Sequence, residues 1–92
     1  MIVSFKDRDT ERLFSDHYIK RFGLIERAAR RKLLILDQAR ALQDLRMPPG
    51  NRLEALRGDR LGQYSIRINN QWRVCFTWRN GEVHEVELVD YH

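Results

Sequence analysis

The chain is poor in cysteine, proline and glycine, and each shortage removes a class of protein. Its single cysteine, Cys75, leaves no intrachain disulfide framework and no Cys-rich zinc site. The three histidines, His17, His84 and His92, are far apart and show no metal-ligand spacing. Five glycines make no glycine-rich phosphate loop, and Gly58 and Gly62 read as turn glycines. No Ser-His-Asp arrangement appears. No apolar run approaches the ~20 residues that a membrane-spanning helix needs. The first residues lack the basic start and apolar core of a secretory signal. These absences lead us to expect a cytoplasmic protein with no membrane partner, no metal and no cofactor.

What is present indicates a small folded unit. The 92 residues are 42% hydrophobic and include two Trp, three Tyr and four Phe, too many for a disordered chain. The length predicts a single domain over residues 1–92. A domain this small hides only roughly 60–70% of its unfolded surface, which leaves little room for a deep pocket. Any substrate is therefore expected to lie across an open face. Lys and Arg total 17 against 13 Asp and Glu, a formal net charge of +4. Only Lys6, Lys20 and Lys32 are lysines, so the other 14 basic residues are Arg. Arg presents a planar fork that grips phosphate through two hydrogen bonds. A GC-rich genome also favours Arg, and composition alone does not separate the two causes.

The pattern along the chain predicts helices first and strands after. Ile2-Val3-Ser4-Phe5 reads as a short first strand. Asp7 or Asp9 can cap a helix that carries Leu13, Phe14 and Tyr18 on one side and ends by Gly23. Ile25, Ala29, Leu33 and Leu36 make the apolar stripe of a second helix over about residues 24–43. Its Arg27, Arg30, Arg31 and Lys32 read mainly as a solvated face, with Glu26 placed to pair with Arg30. Pro48-Pro49-Gly50 breaks the chain. Strands follow at about 52–56, 63–68, 71–78 and 83–89. The expected fold class is α+β, with two N-terminal helices packed on one face of a small antiparallel β-sheet.

Register follows from the alternation, because a slip of one residue turns every side chain over. Keeping Tyr64, Ile66 and Ile68 on the face of Trp72, Val74 and Phe76 pairs Ile68 with Trp72 and sets Arg67 opposite Arg73. The next hairpin contains a conflict. Asn80-Gly81 is a strong two-residue turn signal, yet that turn would bring Glu85 and Glu87 onto the apolar face. Burying two unpartnered carboxylates costs several kcal/mol, so we expect a register shifted by one, with Val86 and Leu88 inward.

Charge is unevenly divided. Residues 52–79 hold six Arg against Glu54 and Asp59, whereas residues 80–92 hold Glu82, Glu85, Glu87 and Asp90 with no basic residue. Adjacent strands of opposite sign could simply pair. They could also present clustered Arg to a polyanion. Asp90-Tyr91-His92 places a carboxylate, a ring that could stack on an unpaired base and a proton-exchanging imidazole together near Arg73.

Four stretches together carry a resemblance: Pro48-Pro49-Gly50-Asn51-Arg52-Leu53-Glu54, then Leu56-Arg57-Gly58-Asp59-Arg60-Leu61-Gly62-Gln63-Tyr64-Ser65-Ile66-Arg67, then Gln71-Trp72-Arg73-Val74-Cys75-Phe76, and Val89-Asp90-Tyr91-His92. In order and position they resemble the HigB toxins of the RelE superfamily, from bacterial type II toxin–antitoxin systems. The resemblance implies a ribosome-dependent, metal-independent endoribonuclease that cuts mRNA and inhibits translation. It implies a HigA-type helix-turn-helix antitoxin as partner, with operator DNA bound only through that complex. By position, Arg73 corresponds to the transition-state arginine, and Asp90, Tyr91 and His92 to C-terminal active-site residues. Arg57 corresponds to a basic site, and Arg60 and Arg67 are expected to bind RNA beside it. Glu54 stands where some members carry His, so Glu54, Asp90 and His92 all remain candidates for the general base. A gyrase-blocking toxin of the ParE type and a non-catalytic RNA-binding module are the alternatives.

Overall fold

The computed structural model describes residues 1–91. Two α-helices, α1 (Arg8–Phe14) and α2 (Glu26–Gln38), precede four strands: β1 (Glu54–Ala55), β2 (Gln63–Arg67), β3 (Trp72–Arg79) and β4 (Glu82–Asp90). The strands form one antiparallel sheet in the order β1-β2-β3-β4. The helices cover one face of it, as the apolar pattern requires. The stripe of Ile25, Ala29, Leu33 and Leu36 is buried against Ile66, Val74, Phe76, Val86 and Leu88.

Both helices are shorter than the sequence suggests. The Asp7 carboxylate caps α1 by accepting from the Thr10 amide at 3.0 Å and the Thr10 hydroxyl at 2.6 Å. The helix then stops at Phe14 instead of continuing towards Gly23. Arg30 donates to the Leu13 carbonyl at 3.1 Å and the His17 carbonyl at 2.8 Å, which places a cation at the negative end of α1. Tyr18 therefore lies exposed beyond the helix, while Phe14 packs against Phe5 with ring centroids 5.8 Å apart. Helix α2 stops at Gln38 because the Asp44 carboxylate captures the amides of Arg40 and Ala41, each at 3.0 Å. The chain runs on as a 3₁₀ turn over Leu42–Arg46.

Strands β2 and β3 pair in the expected register, with Ile66 opposite Val74 and Arg67 opposite Arg73. The β3–β4 hairpin resolves its conflict by satisfying both demands. The two-residue turn forms, with Asn80 at φ 50° and Gly81 at φ 77°, and Arg79 faces Glu82. A bulge between Cys75 and Thr77 then shifts the register, so that Val74 faces Leu88 and Cys75 faces Glu87. Glu85 takes the extra position at φ 56°. One left-handed residue costs about 1–2 kcal/mol, less than burying Glu85 and Glu87 together.

The N-terminal segment expected as a first strand makes two isolated parallel bridges to β4, at Ile2–Val83 and Phe5–Val86. It covers that edge of the sheet, helped by the Ser4 hydroxyl, which accepts from the Glu85 amide at 2.9 Å.

Two predictions follow from the packing and the capping. Leu33→Ala, at the centre of the core, is expected to cost roughly 2–5 kcal/mol in urea unfolding. The Ala41 and Arg40 amides hold the Asp44 carboxyl below its usual range. A lowered folded pKa stabilises the native state above the unfolded value and is lost as pH falls through the folded one. Asp44→Ala should thus lower the melting temperature at neutral pH, and the gap to wild type should close in acid.

Candidate active site

The face of the sheet away from the helices is polar, and the register arranges it in rows. Glu54 faces Ser65, Ser65 faces Cys75, and Cys75 faces Glu87 across the four strands. The next row is Arg67, Arg73 and Val89. Arg67 and Arg73 sit directly opposite each other, which is unfavourable for like charges. Each turns to its own partners. Arg67 donates to Asn70 in the β2–β3 turn. Arg73 folds back across its own strand neighbours.

Arg73 is only 8% exposed, an unusual position for a charged group. Its Nε donates to the Ser65 hydroxyl at 2.7 Å, and its Nη2 donates to the Arg52 carbonyl at 2.6 Å. The Glu54 carboxylate lies 3.3 Å from Nη2 and is itself 60% exposed. Among the described residues, the hydrogen bonds of the guanidinium run through Nε and Nη2. The Arg73 guanidinium carbon lies 5.9 Å from the centre of the half-exposed Tyr91 ring.

Tyr91 is the second anchor. Its amide donates to the Gln71 carbonyl at 2.6 Å, which holds it to the sheet just beyond β4. Its hydroxyl lies 3.8 Å from the Cys75 sulfur. Burial and the Cys75 contact push the Tyr91 phenol above its ordinary value, so it stays protonated at neutral pH. Burial likewise pushes the Cys75 thiol up. Arg60 completes the group. Its Nη1 donates to Glu87 at 2.9 Å and to Gln63 at 3.0 Å, and the Glu87 bond raises its pKa further. Lys6, from the N-terminal segment, reaches the same Glu87 oxygen at 3.4 Å.

The structure thus brings Arg73, Tyr91, Glu54 and Arg60 together. Arg67 flanks the group, and Arg57 lies exposed before the 3₁₀ turn Gly58–Arg60. Asp90 pairs with Trp72, so alternation directs it to the other face of the sheet from Arg73, and it accepts from the Gln71 side-chain Nε2 at 3.0 Å. His92 lies outside the described residues. Alternation had placed Ser65 on this face without revealing its bond to Arg73. The Arg52 carbonyl and Lys6 carried no sequence signal, because distant chain segments deliver them.

Among the described residues, no group of three or more His, Cys, Asp or Glu could hold a metal ion. No helix among them is long and apolar enough to cross a membrane. The two main cavities, about 310 and 350 Å³, are lined by Leu42, Leu53 and Tyr64 and by Lys20, Leu24 and Trp72. None of the four clustered residues lines either cavity.

The family model of the HigB-like RelE-type toxins of type II toxin–antitoxin systems matches residues 3–92. The chain belongs to this family. It is therefore the toxin component of a type II system, the kind that is paired with an antitoxin. HigB-family toxins are endoribonucleases. This HigB-like chain is 47% identical to Toxin HigB-1 of Vibrio cholerae over 83 residues, 88% of the chain and 87% of that protein. It is 39% identical to Endoribonuclease HigB of Proteus vulgaris over 41 residues, 45% of each. The Staphylococcus aureus YoeB-YefM complex shares its fold, with a TM-score of 0.57 at 16% identity, covering 100% of the chain and 98% of the matched one.

A buried, protonated thiol makes a clear prediction for this HigB-like toxin. Cys75 should resist a thiol-specific reagent such as DTNB in the native protein at pH 8 and react fully in guanidinium chloride.

Proposed function

We propose that this toxin cuts mRNA on the ribosome, by attack of a ribose 2′-hydroxyl on the adjacent phosphate. The observation that carries this reading is the buried Arg73 guanidinium, fixed through Nε and Nη2 beside the Glu54 carboxylate. Donors held in place before charge develops stabilise a transition state without reorganising. Arg73 takes the phosphate oxygens, and Arg60 supplies a second positive charge nearby. Glu54 is assigned as the general base, because its carboxylate lies 3.3 Å from Arg73 Nη2. It removes the 2′-proton as the new O–P bond forms. The 5′-oxygen leaves with a proton, for which the protonated Tyr91 phenol is the described donor, with His92 next to it in sequence. Arg57 and Arg67 extend the positive surface along the RNA. The products are a 2′,3′-cyclic phosphate and a 5′-hydroxyl end.

An open face holds RNA through charge but orients it poorly, and orientation supplies much of a catalysed rate. A ribosome that presents mRNA in a fixed path provides that orientation, which accounts for dependence on translation. A HigA-type helix-turn-helix antitoxin is the partner we assign, with operator DNA reached through it.

The reading is tested by mapping mRNA 5′ ends after induction, with and without translation. Arg73→Ala should abolish most cleavage while the protein stays folded. Glu54→Gln should lower the rate by about 10²–10⁴-fold. Equal cutting of naked and translated RNA overturns the ribosome dependence. DNA breaks with intact mRNA would point instead to a gyrase-blocking toxin.

A further inference from the structure

The shortest hydrogen bond that orients Arg73 ends on a backbone carbonyl, that of Arg52. A carbonyl can fix a guanidinium only as well as its own peptide is fixed. Arg52 belongs to no regular element. It follows the 3₁₀ turn Pro49–Asn51 and adopts φ 45°, a left-handed conformation that residues other than glycine rarely take. Such a conformation persists only where its surroundings over-determine it.

The residue before it supplies that constraint. Asn51 is fully buried and uses both ends of its side chain. Its Nδ2 donates to the Leu45 and Met47 carbonyls, each at 3.1 Å. Its Oδ1 accepts from the Lys32 ammonium at 2.5 Å. The first two bonds tie the turn to the segment that closes the core around Leu45, and the third ties it to α2. Lys32 is an expensive anchor, because burial and the nearby Arg31 and Arg67 lower its pKa. The basic cluster on α2 accordingly divides by task. Arg30 secures the end of α1, and Lys32 secures Asn51.

We propose that Asn51, clamped by Lys32, is a positioning residue: it holds the Arg52 peptide so that its carbonyl aims the Arg73 guanidinium at the phosphate. The chain of contacts runs from α2 through Lys32 and Asn51 to Arg52 and then to Arg73. Asn51 and Lys32 themselves touch no substrate. The proposal rests on Arg73 being the catalytic arginine.

The test compares single-turnover cleavage of ribosome-bound mRNA by wild type, Arg73→Ala, Asn51→Ala, Lys32→Met and Lys32→Arg. Arg73→Ala checks the underlying reading alone, and normal cleavage by it overturns that reading whatever the other variants do. With Arg73→Ala inactive, Asn51→Ala and Lys32→Met should lower kcat by on the order of 10–100-fold with KM unchanged. Lys32→Arg, which keeps a donor for Asn51, should restore most of the rate. The Arg73 Nη2–H signal in nitrogen-edited NMR should exchange faster with water in both impaired variants. Lys32 is half-buried on the helix surface, so Lys32→Met carries the test if Asn51→Ala does not fold. Wild-type kcat in a folded variant, an effect confined to KM, or an unchanged Arg73 signal overturns the proposal.

Discussion

A guanidinium withdrawn from water has to be hydrogen-bonded, and Arg73 is withdrawn almost completely. Much of the polar face follows from that need. Ser65, one strand away, meets Nε. The Arg52 carbonyl, delivered by a left-handed turn, meets Nη2. Glu54 supplies the compensating charge at the sheet edge without being buried itself. Removing one partner from a buried charge is far more costly than losing an exposed ion pair. The turn, strand β1 and strand β2 are therefore coupled to one side chain. The same bonds fix the orientation of the guanidinium, as the proposed role requires.

The second constraint lies in β4. A favourable turn and a favourable burial pattern demand registers one residue apart, and the bulge at Glu85 grants both. Upstream of it, Asn80-Gly81 turns the chain; downstream, Val86 and Leu88 enter the core and Glu87 faces outward. Every polar contact near the end of β4 inherits this shift. Without it Glu87 would point into the core and could not hold Arg60 and Lys6, and Tyr91 would leave the Arg73 face. Segment charge acquires a local meaning here. The acidic strand neutralises part of the Arg-rich segment by holding Arg60 through Glu87, while Glu54, from within that segment, pairs with Arg73.

The site that results lies on the outward face of the sheet. Its cations and its protonated phenol are fixed by the sheet, while the path of a bound polymer across it is not. That asymmetry suits an enzyme whose substrate arrives already shaped by a larger assembly, the way of working proposed above for this HigB-like toxin.

The sequence by itself determined the fold class, the buried stripe of α2, the β2–β3 register and the polar face that carries Ser65, Arg67 and Arg73. These follow from local periodicity and from the cost of burying charge, which act over a few residues and can be read from spacing. It also indicated the shift in β4, although not the bulge that produces it. The ends of both helices, the edge pairing of Ile2–Phe5 and the place of Asp90 opposite Trp72 were decided by tertiary structure. So was the choice of what Arg73 touches. Arg30 reaches the end of α1 across seventeen positions, and Lys32 reaches Asn51 across nineteen. Contacts of that range depend on how the helices lie on the sheet, which no local pattern encodes.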